Sequence, residues 1–410
     1  MHRPTIINPR SRKTSAAIAV AAGAALLLTA CSGAGAQGEP GTDSGDAGAG
    51  GDAALTVTDV AGRTVSFDER PERVILGEGR AAFVTAMLDK KNPTDKVVAW
   101  GGDLHSAAPS FEEKLFEAHP AAKDVPVIGT ISKGDVSVEN LLAHDPDVIV
   151  LTLDHKKAAE ENGLLGKLDQ AGLKYVFTDF RQKPLENTTA SVELLGDVLD
   201  EADAAKRFVD MYDAKVSDVR DRAKGLDHKP RTFVWRAAGL KDCCATVNKS
   251  NLGDLVNAAG GDNIGDHILD TEFGDLTAEK VIAEAPDEII ATGGSWAADP
   301  EKPEILPHVE LGYGADPAAA ARTLEGVTAT PGFEHLTAPK SGDLNGLYHQ
   351  FYDSPYNVFA LQQIAVWLHP EEFSDLDPVA EFEEFHREFL PFELSGTFFT
   401  STGDEDGAGK

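Results

Sequence analysis

An internal repeat constrains the fold of this chain more than any other feature of its sequence. Residues 137–151, SVENLLAHDPDVIVL, align with residues 277–291, TAEKVIAEAPDEIIA, without a gap. A hydroxyl residue, a glutamate, two aliphatic residues, an alanine, a Pro-Asp pair and two more aliphatic residues match in order. Such a repeat indicates two copies of one supersecondary unit, so we expect two lobes of the same architecture.

Each copy of the repeat has the pattern of a short helix followed by a buried strand. Ser137 and Thr277 are typical N-cap residues, because a hydroxyl oxygen there can accept a hydrogen bond from a free amide of the first turn. Glu139 and Glu279 stand in that first turn, where the helix dipole favours a negative charge. The Pro-Asp pair predicts a turn, and the aliphatic run after it predicts a strand.

The rest of the chain divides around a helical segment. Strand and helix patterns alternate before residue 186 and again from Thr232, which predicts parallel sheets covered by helices. Between them, apolar residues at spacings of three and four predict one long amphipathic helix. The predicted organisation is an N-terminal lobe at 55–185, a connecting helix at 186–225, a C-terminal lobe at 226–398 and a disordered tail at 399–410.

The N-terminus has the layout of an export signal. Residues 1–31 carry basic but no acidic side chains, and Ala16–Leu28 is an unbroken apolar run. This run has the length of a signal-peptide core rather than of a membrane span. It ends in Leu-Thr-Ala-Cys31, which resembles the lipobox of bacterial lipoproteins; an ordinary cleavable signal peptide is the alternative. Residues 32–54 are rich in Gly, Ala and acidic residues and predict a flexible linker.

Charge and motifs exclude several classes of protein. The 410 residues include 37 Lys and Arg against 68 Asp and Glu, and the net charge of -31 excludes a nucleic-acid partner. A single long apolar run excludes a multi-span membrane protein. The sequence contains no nucleophile-elbow, phosphate-loop or zinc-protease motif. We therefore expect an exported protein with no catalytic residues and no resident cofactor.

Four segments together resemble a known family. They are DVAGRTVSFDERPERVI at 59–75, the paired helix–strand elements, AAGGDNI at 258–264 and SPYNVFALQQIAVWLHP at 354–370. Residues 55–395 resemble the bacterial ABC-transporter substrate-binding lipoproteins of the iron–siderophore, haem and cobalamin group. The resemblance implies an α/β fold of two Rossmann-like lobes joined by one long α-helix, the class III periplasmic-binding-protein type, with the ligand cleft between the lobes.

The resemblance also implies a function. We expect a monomer, lipid-anchored to the cell membrane through Cys31, that captures a ferric siderophore and delivers it to the membrane subunits of an ABC permease. Haem is the alternative ligand, and cobalamin, an oxyanion or a free metal ion are further ones. In this family one surface glutamate of each lobe docks on the permease, which implies that role for Glu139 and Glu279. Helix-start carboxylates without a docking role are the simpler reading of both.

Candidate ligand-binding residues follow the predicted strands, because ligands of such folds lie at the carboxyl ends of strands. Arginines match the anionic oxygens of a chelate, tryptophans can stack on it, and Tyr or His can coordinate iron. Structural ion pairs and core packing are the competing roles. No direct metal ligand set is predicted, since the iron would lie within the chelate. The candidates are Arg80, Trp100, His155, Trp235, Arg236, Trp296, Tyr348, His349 and Tyr352.

The two remaining cysteines are adjacent. With Cys31 assigned to lipid, Cys243 and Cys244 form an even pair in an exported chain. A disulfide between them is expected, with two free thiols as the alternative.

Overall fold

A computed structural model describes residues 55–240, 243–296 and 308–403. The predicted signal peptide, Cys31 and the linker lie outside the described residues. Within the described part, no helix combines the length and the apolar character needed to cross a bilayer.

The N-terminal lobe contains a parallel sheet. Its strands are β1 (Leu55–Thr58), β2 (Thr64–Phe67), β3 (Val74–Leu76), β4 (Val97–Trp100), β5 (Val148–Thr152) and β6 (Tyr175–Thr178). Its helices are α1 (Ala82–Leu88), α2 (Asp103–Ala107), α3 (Pro109–Ala118), α4 (Val138–Ala143), α5 (Lys156–Glu161) and α6 (Leu164–Ala171). The sheet order is β4-β3-β5-β6, all parallel, and β1 and β2 form a separate hairpin. Every residue of β5 and β6 is buried, as expected for a sheet covered on both faces.

The connection between the lobes differs from its prediction. Residues 184–223 form two helices, α7 (Pro184–Leu199) and α8 (Ala202–Ala223), rather than one. Asp200 ends α7 in the left-handed conformation, with φ of 63°. The Tyr212 hydroxyl donates a 3.4 Å hydrogen bond to the carbonyl oxygen of Pro184, so the two helices form an antiparallel hairpin. The apolar spacing did not reveal the break, because both helices bury one face.

The C-terminal lobe contains a larger sheet. Its strands are β7 (Arg231–Trp235), β8 (Ala245–Val247), β9 (Asp262–Asn263), β10 (Phe273–Asp275), β11 (Glu288–Gly293), β12 (Gly312–Tyr313), β13 (Leu344–Tyr348), β14 (Gly396–Thr397) and β15 (Phe399–Ser401). Its helices are α9 (Asn251–Ala258), α10 (Ala278–Glu284), α11 (Pro317–Gly326), α12 (Ala338–Ser341), α13 (Asn357–Leu368) and α14 (Pro378–Phe389). The sheet order is β15-β13-β11-β7-β9, and only β15 is antiparallel to its neighbour. The strands β8 with β10 and β12 with β14 form two small antiparallel pairs.

The edge strand β15 corrects the predicted start of the tail. Phe399 is buried, and residues 399–401 pair with β13. Phe398 and Phe399 are both buried in the core of the lobe. Residues 404–410 of the predicted tail lie outside the described residues.

A continuous hydrophobic core joins the two lobes. Phe111 of α3 is fully buried, and its ring lies 5.9 Å from that of Tyr313 and 5.7 Å from that of Phe392. The Tyr356 hydroxyl donates a 2.9 Å hydrogen bond to the carbonyl oxygen of Phe83 in α1. Aromatic rings from both lobes therefore form one packed seam beside the strand ends.

Candidate functional site

The ends of the parallel strands from both lobes bring charged side chains together. In the N-terminal lobe the loops after β3, β4, β5 and β6 supply Glu78 and Arg80, Asp103, Asp154 and Arg181 respectively. In the C-terminal lobe the segment after β13 supplies Gln350, Tyr352 and Asp353. We call these eight residues the inter-lobe cluster. Their position at the carboxyl ends of parallel strands is where α/β folds bind ligands.

Arg80 is saturated with hydrogen-bond acceptors. Its Nε donates to Asp103 at 2.9 Å, and its Nη2 donates to Glu78 at 2.5 Å. Its Nη1 reaches three groups of the other lobe: the Tyr352 hydroxyl at 2.6 Å, the Gln350 amide oxygen at 3.3 Å and Asp353 at 2.9 Å. Arg80 thus lies at the strand ends, as predicted. All three of its guanidinium nitrogens, however, already contact groups of the protein.

A glycine makes this arrangement possible. Gly79 lies so close to the loop after β4 that a Cβ on it would stand 2.3 Å from the carbonyl oxygen of Gly101. Asp103 accepts hydrogen bonds from the backbone N–H of Gly79 at 2.6 Å and of Arg80 at 3.2 Å. The close approach of the two loops therefore fixes the direction of the Arg80 side chain.

Arg181 is a second buried guanidinium, which sequence reasoning missed. Its Nη2 donates to Glu78 at 2.7 Å and also to Asp353, and its Nη1 donates to Asp154. Arg181 lies three residues beyond the end of β6, about as far from its strand as Arg80 is from β3. The rule that selected Arg80 from the sequence could therefore have selected Arg181 as well. Asp353 was also missed, although it directly follows Tyr352.

Two of the three carboxylates that contact Arg181 have pKa values shifted in opposite directions. Burial alone would raise the pKa of Glu78, but the guanidinium groups of Arg181 and Arg80 lower it to about 2. Burial raises the pKa of Asp353 to about 6, and the nearby Glu78 adds to this shift against the effect of both arginines. Glu78 is thus the permanent counter-ion of the arginines, and Asp353 is the weaker partner.

Arg236 has a different environment from the other two arginines. Its guanidinium lies 4.4 Å from the ring centre of Phe273 and 5.8 Å from that of Tyr352, and it forms no salt bridge within the described residues. Burial lowers its pKa, while Tyr352, Asp154 and Asp275 act on it only through longer-range charge interactions. Because arginine keeps its proton in proteins, this side chain is a half-buried cation without a paired carboxylate.

Three further candidates lie around the same strand ends. His349 donates or accepts a 2.7 Å hydrogen bond between its Nδ1 and the Thr292 hydroxyl, and its ring contacts those of Tyr352 at 4.6 Å and Trp296 at 5.5 Å. Burial lowers the pKa of His349 well below its ordinary value, and the three arginines reinforce this. His155 lies 3.8 Å from Asp154, and burial lowers its pKa as well. The predicted set of Arg80, His155, Arg236, Trp296, His349 and Tyr352 is therefore brought together.

Three predicted aromatic contacts are corrected. Trp100 and Trp235 are each 3% exposed and pack in the hydrophobic core, Trp100 on Phe116 and Trp235 against Phe333. Tyr348 is also 3% exposed and packs against Tyr313 and Phe398, and burial raises its pKa. All three belong to strands whose side chains alternate between sheet faces, and these rings point into the packed layers rather than beyond the strand end.

The repeat places its glutamates as predicted at the helix starts. The hydroxyls of Ser137 and Thr277 accept hydrogen bonds from the backbone N–H groups of Asn140 at 3.1 Å and Lys280 at 3.3 Å. Glu139 and Glu279 are exposed. Backbone and Thr277 hydrogen bonds lower the pKa of Glu279. Both carboxylates are therefore available to a partner.

The adjacent cysteines lie beside the Arg236 strand. Cys243 and Cys244 are joined by a disulfide, across a cis peptide bond. The backbone of Cys244 exchanges two hydrogen bonds with Leu276, of 2.8 and 2.9 Å. The next residue, Ala245, accepts a 2.8 Å hydrogen bond from the N–H of Arg236, so the cysteine loop supports that arginine.

The site offers donors and aromatic faces rather than a metal-ligand set. Within the described residues, no group of three or more His, Cys, Asp or Glu side chains could hold a metal ion. The arrangement is suited to binding an oxygen-rich ligand through guanidinium groups, with rings of Tyr352 and Trp296 at its side.

Comparison with solved structures confirms the fold. The TroA-like periplasmic binding protein FepB from Veillonella parvula matches with a TM-score of 0.74 and 26% identity, over 84% of this chain and 99% of that one. MolA from Haemophilus influenzae, bound to molybdate, matches with a TM-score of 0.63 and 15% identity, over 83% and 99%. CeuE from Helicobacter pylori, in a complex with nickel and histidine, matches with 0.59 and 16%, over 83% and 97%.

The ligands named for these structures differ, so the shared fold leaves the ligand open. A search of curated proteins finds no match. The family model described as periplasmic binding protein matches residues 93–347, more than half of the chain. These matches confirm the predicted fold class and the expectation of a protein without enzymatic activity. The chain belongs to the periplasmic binding protein family, the extracytoplasmic solute receptors that deliver small molecules to ABC permeases.

Proposed function

We propose that this receptor captures a ferric siderophore between its lobes and delivers it to an ABC permease. The observation that carries the proposal is Arg236, a half-buried guanidinium without a salt bridge within the described residues, beside Tyr352 at the strand ends. The Nε of Arg236 is buried without a hydrogen-bond partner in the described residues, and a ligand acceptor would satisfy it. The oxygens of a ferric chelate supply that partner, and they accept charge-assisted hydrogen bonds from a guanidinium.

The surroundings of Arg236 favour a bulky chelate over a small oxyanion. Tyr352 presents its ring 5.8 Å from the guanidinium of Arg236, and His349 packs between Tyr352 and Trp296. Aromatic faces gain binding energy from organic surface, which a small oxyanion does not offer. A siderophore combines both chemistries, since its metal-binding oxygens are polar and its backbone is organic.

The charge balance of the site supports a chelate of low net charge. The site contains three arginines and four carboxylates. The carboxylates belong to Glu78, Asp103, Asp154 and Asp353, and each of them pairs with Arg80 or Arg181. The site thus has no excess of positive charge that would compensate a highly anionic ligand. Neutral ferric hydroxamates are therefore expected to bind more tightly than ferric tris-catecholates.

A tryptophan-fluorescence titration tests the ligand. Trp296 packs against His349 and reports on this region. Ferric hydroxamate, ferric catecholate, ferric citrate, haemin and free metal salts are added to the chain in turn. Submicromolar quenching by a ferric chelate, with none by free metals, is expected. Tight haemin binding with a new Soret band, or binding of free metal alone, would replace the siderophore as the ligand.

We further propose that Cys31 anchors the receptor to the cell membrane by a lipid and that Glu139 and Glu279 dock on the permease. The exposure of both glutamates at matching helix starts supports the docking role. Replacing both by alanine is expected to abolish transport and leave chelate affinity within twofold. Glu113→Ala with Glu383→Ala, two exposed glutamates outside the repeat, serves as the matched control. Normal transport by the Glu139/Glu279 variant would contradict the docking role.

A further inference from the structure

Asp353 stands out within the inter-lobe cluster. Among the described residues of the C-terminal lobe it is the only carboxylate that contacts the arginines of the other lobe, and it contacts both. Its oxygen lies 2.9 Å from Nη1 of Arg80 and accepts a hydrogen bond from Nη2 of Arg181. Its side chain is 4% exposed. Asp353 therefore lies where the guanidinium groups of Arg80 and Arg181 face the C-terminal lobe.

The arginines do not need Asp353 for neutralisation. Within its own lobe Arg80 pairs with Glu78 and Asp103, and Arg181 pairs with Glu78 and Asp154. Three carboxylates thus already balance two guanidinium groups, and Asp353 adds a fourth. The surplus charge is consistent with the pKa of Asp353, which burial and Glu78 raise to about 6. Among the four carboxylates that pair with Arg80 and Arg181, Asp353 is therefore the one whose removal leaves both arginines neutralised.

A small cavity lies beside Arg80, on the side of the N-terminal sheet. A cavity of about 10 Å³ is lined by Glu78, Arg80, Thr152, Phe180 and Asp353 among others. Such a volume holds about one water molecule. Nη1 of Arg80 and Nη2 of Arg181 both contact Asp353. A chelate oxygen that pairs with these two nitrogens therefore takes the position of the Asp353 carboxylate.

We propose that Asp353 is a built-in competitor of the ligand: its carboxylate occupies the Arg80–Arg181 pair in the unliganded receptor, and oxygens of the incoming chelate replace it. Asp353 then sets the affinity and selects chelates that offer oxygens for both guanidinium groups. The identity of the ligand rests on the proposed function, whereas the occupancy of the arginines by Asp353 is a property of the unliganded chain.

The binding test uses Asp353→Asn, which keeps the size of the side chain and removes its charge. Asp210→Asn removes an exposed carboxylate from α8 and serves as the control. With the ferric chelate that binds most tightly to the unmodified chain, Asp353→Asn is expected to lower the dissociation constant at least tenfold. The control is expected to stay within twofold. Equal or weaker binding by Asp353→Asn would overturn the proposal.

A second measurement needs no ligand, so it separates this inference from the proposed function. Hydrogen exchange of the backbone amides in residues 349–353 is compared between the three chains at pH 7.5. Loss of the bridge between lobes is expected to accelerate exchange at least fivefold in Asp353→Asn and not in Asp210→Asn. If no chelate binds to any chain, the siderophore is refuted, and the exchange rates still decide: equal rates would mean that Asp353 does not hold the arginines.

Discussion

The two walls of the site use arginine in opposite ways. Arg80 and Arg181 of the N-terminal lobe are each 8% exposed or less and are paired with several carboxylates. Arg236 of the C-terminal lobe lies against Phe273 and Tyr352 without a carboxylate partner within the described residues. The difference separates two roles that look alike in a sequence. The first two arginines pair with carboxylates of both lobes, whereas the third pairs with no carboxylate of the described residues.

The largest expected effect is a loss of unfolding free energy when one of the paired arginines of the N-terminal lobe is removed. Arg181→Met should leave Glu78, Asp154 and Asp353 buried with one fewer cation, because all three contact this guanidinium. Breaking a buried ion network by removing one partner costs about 3–5 kcal/mol of unfolding free energy. Urea denaturation measures the loss. Arg70→Met, which removes an exposed arginine paired with Asp200, should cost about 1 kcal/mol or less and is the matched control.

The pH dependence of stability sharpens the contrast within that wall. The pKa of Asp353 is raised from 3.8 to about 6 on folding, so ionisation of this group destabilises the folded state as the pH rises across that window. The Asp353→Asn side chain has no carboxyl group, so it lacks this pH-dependent contribution. Its stability relative to the unmodified chain should therefore increase by about 2–3 kcal/mol between pH 3.5 and pH 7.

The neighbouring Glu78 has the opposite dependence. Its pKa falls from 4.5 to about 2 on folding, so its stabilising contribution is present above pH 4.5 and is lost as the pH falls towards 2. Denaturation curves of the unmodified chain and of Asp353→Asn at four pH values separate the two groups. A difference between the two chains that does not change with pH would contradict the assignment to Asp353.

The unpaired arginine should show a smaller effect, on affinity rather than on stability. Arg236→Met removes a guanidinium that pairs with no carboxylate of the described residues, so the unfolding free energy should not fall. Loss of one charge-assisted contact to the chelate should weaken binding by about tenfold, or about 1.4 kcal/mol. Fluorescence titration measures this change, with the exposed Arg322→Met as control. Loss of stability with unchanged affinity would place Arg236 with the paired arginines.

The disulfide should have the smallest effect. Cys243 and Cys244 close a loop of only two residues, and such a short loop constrains the unfolded chain little. Replacing both by serine should lower the unfolding free energy by about 1 kcal/mol and change chelate affinity less than Arg236→Met does. An affinity loss larger than that of Arg236→Met would show that the cysteine loop controls the position of the arginine.

Much of the architecture could be predicted because it follows from local patterns. The repeat identified the capped helices α4 and α10 and the buried strands β5 and β11 in both lobes. Hydroxyl caps, Pro-Asp turns and aliphatic runs are properties of neighbouring residues, so the chain reveals them directly. The helix break at Asp200 could not be predicted, because the apolar spacing of residues 184–223 fits one long helix as well as a hairpin of two helices.

The site could be predicted only in part, because the residues that contact each other in it lie far apart in the sequence. The rule that ligands bind after strand ends found Arg80 and Arg236 and applied equally to Arg181. It gave no indication that Arg80 would meet Asp353, 273 positions later in the chain, or that Arg236 would meet no carboxylate at all. Trp100, Trp235 and Tyr348 failed for a related reason, since one residue of displacement along a strand moves a ring from the site into the core.

The aromatic seam between the lobes has a consequence for how this molecule could be divided. Phe111 is fully buried with help from Tyr313 and Phe392 of the other lobe, and the Tyr356 hydroxyl donates a hydrogen bond to the backbone of α1. Neither half of the repeat could therefore serve as an independent building block. Fragments cut between α8 and β7 would expose this aromatic surface to water and tend to aggregate, and the intact receptor should melt in a single cooperative transition.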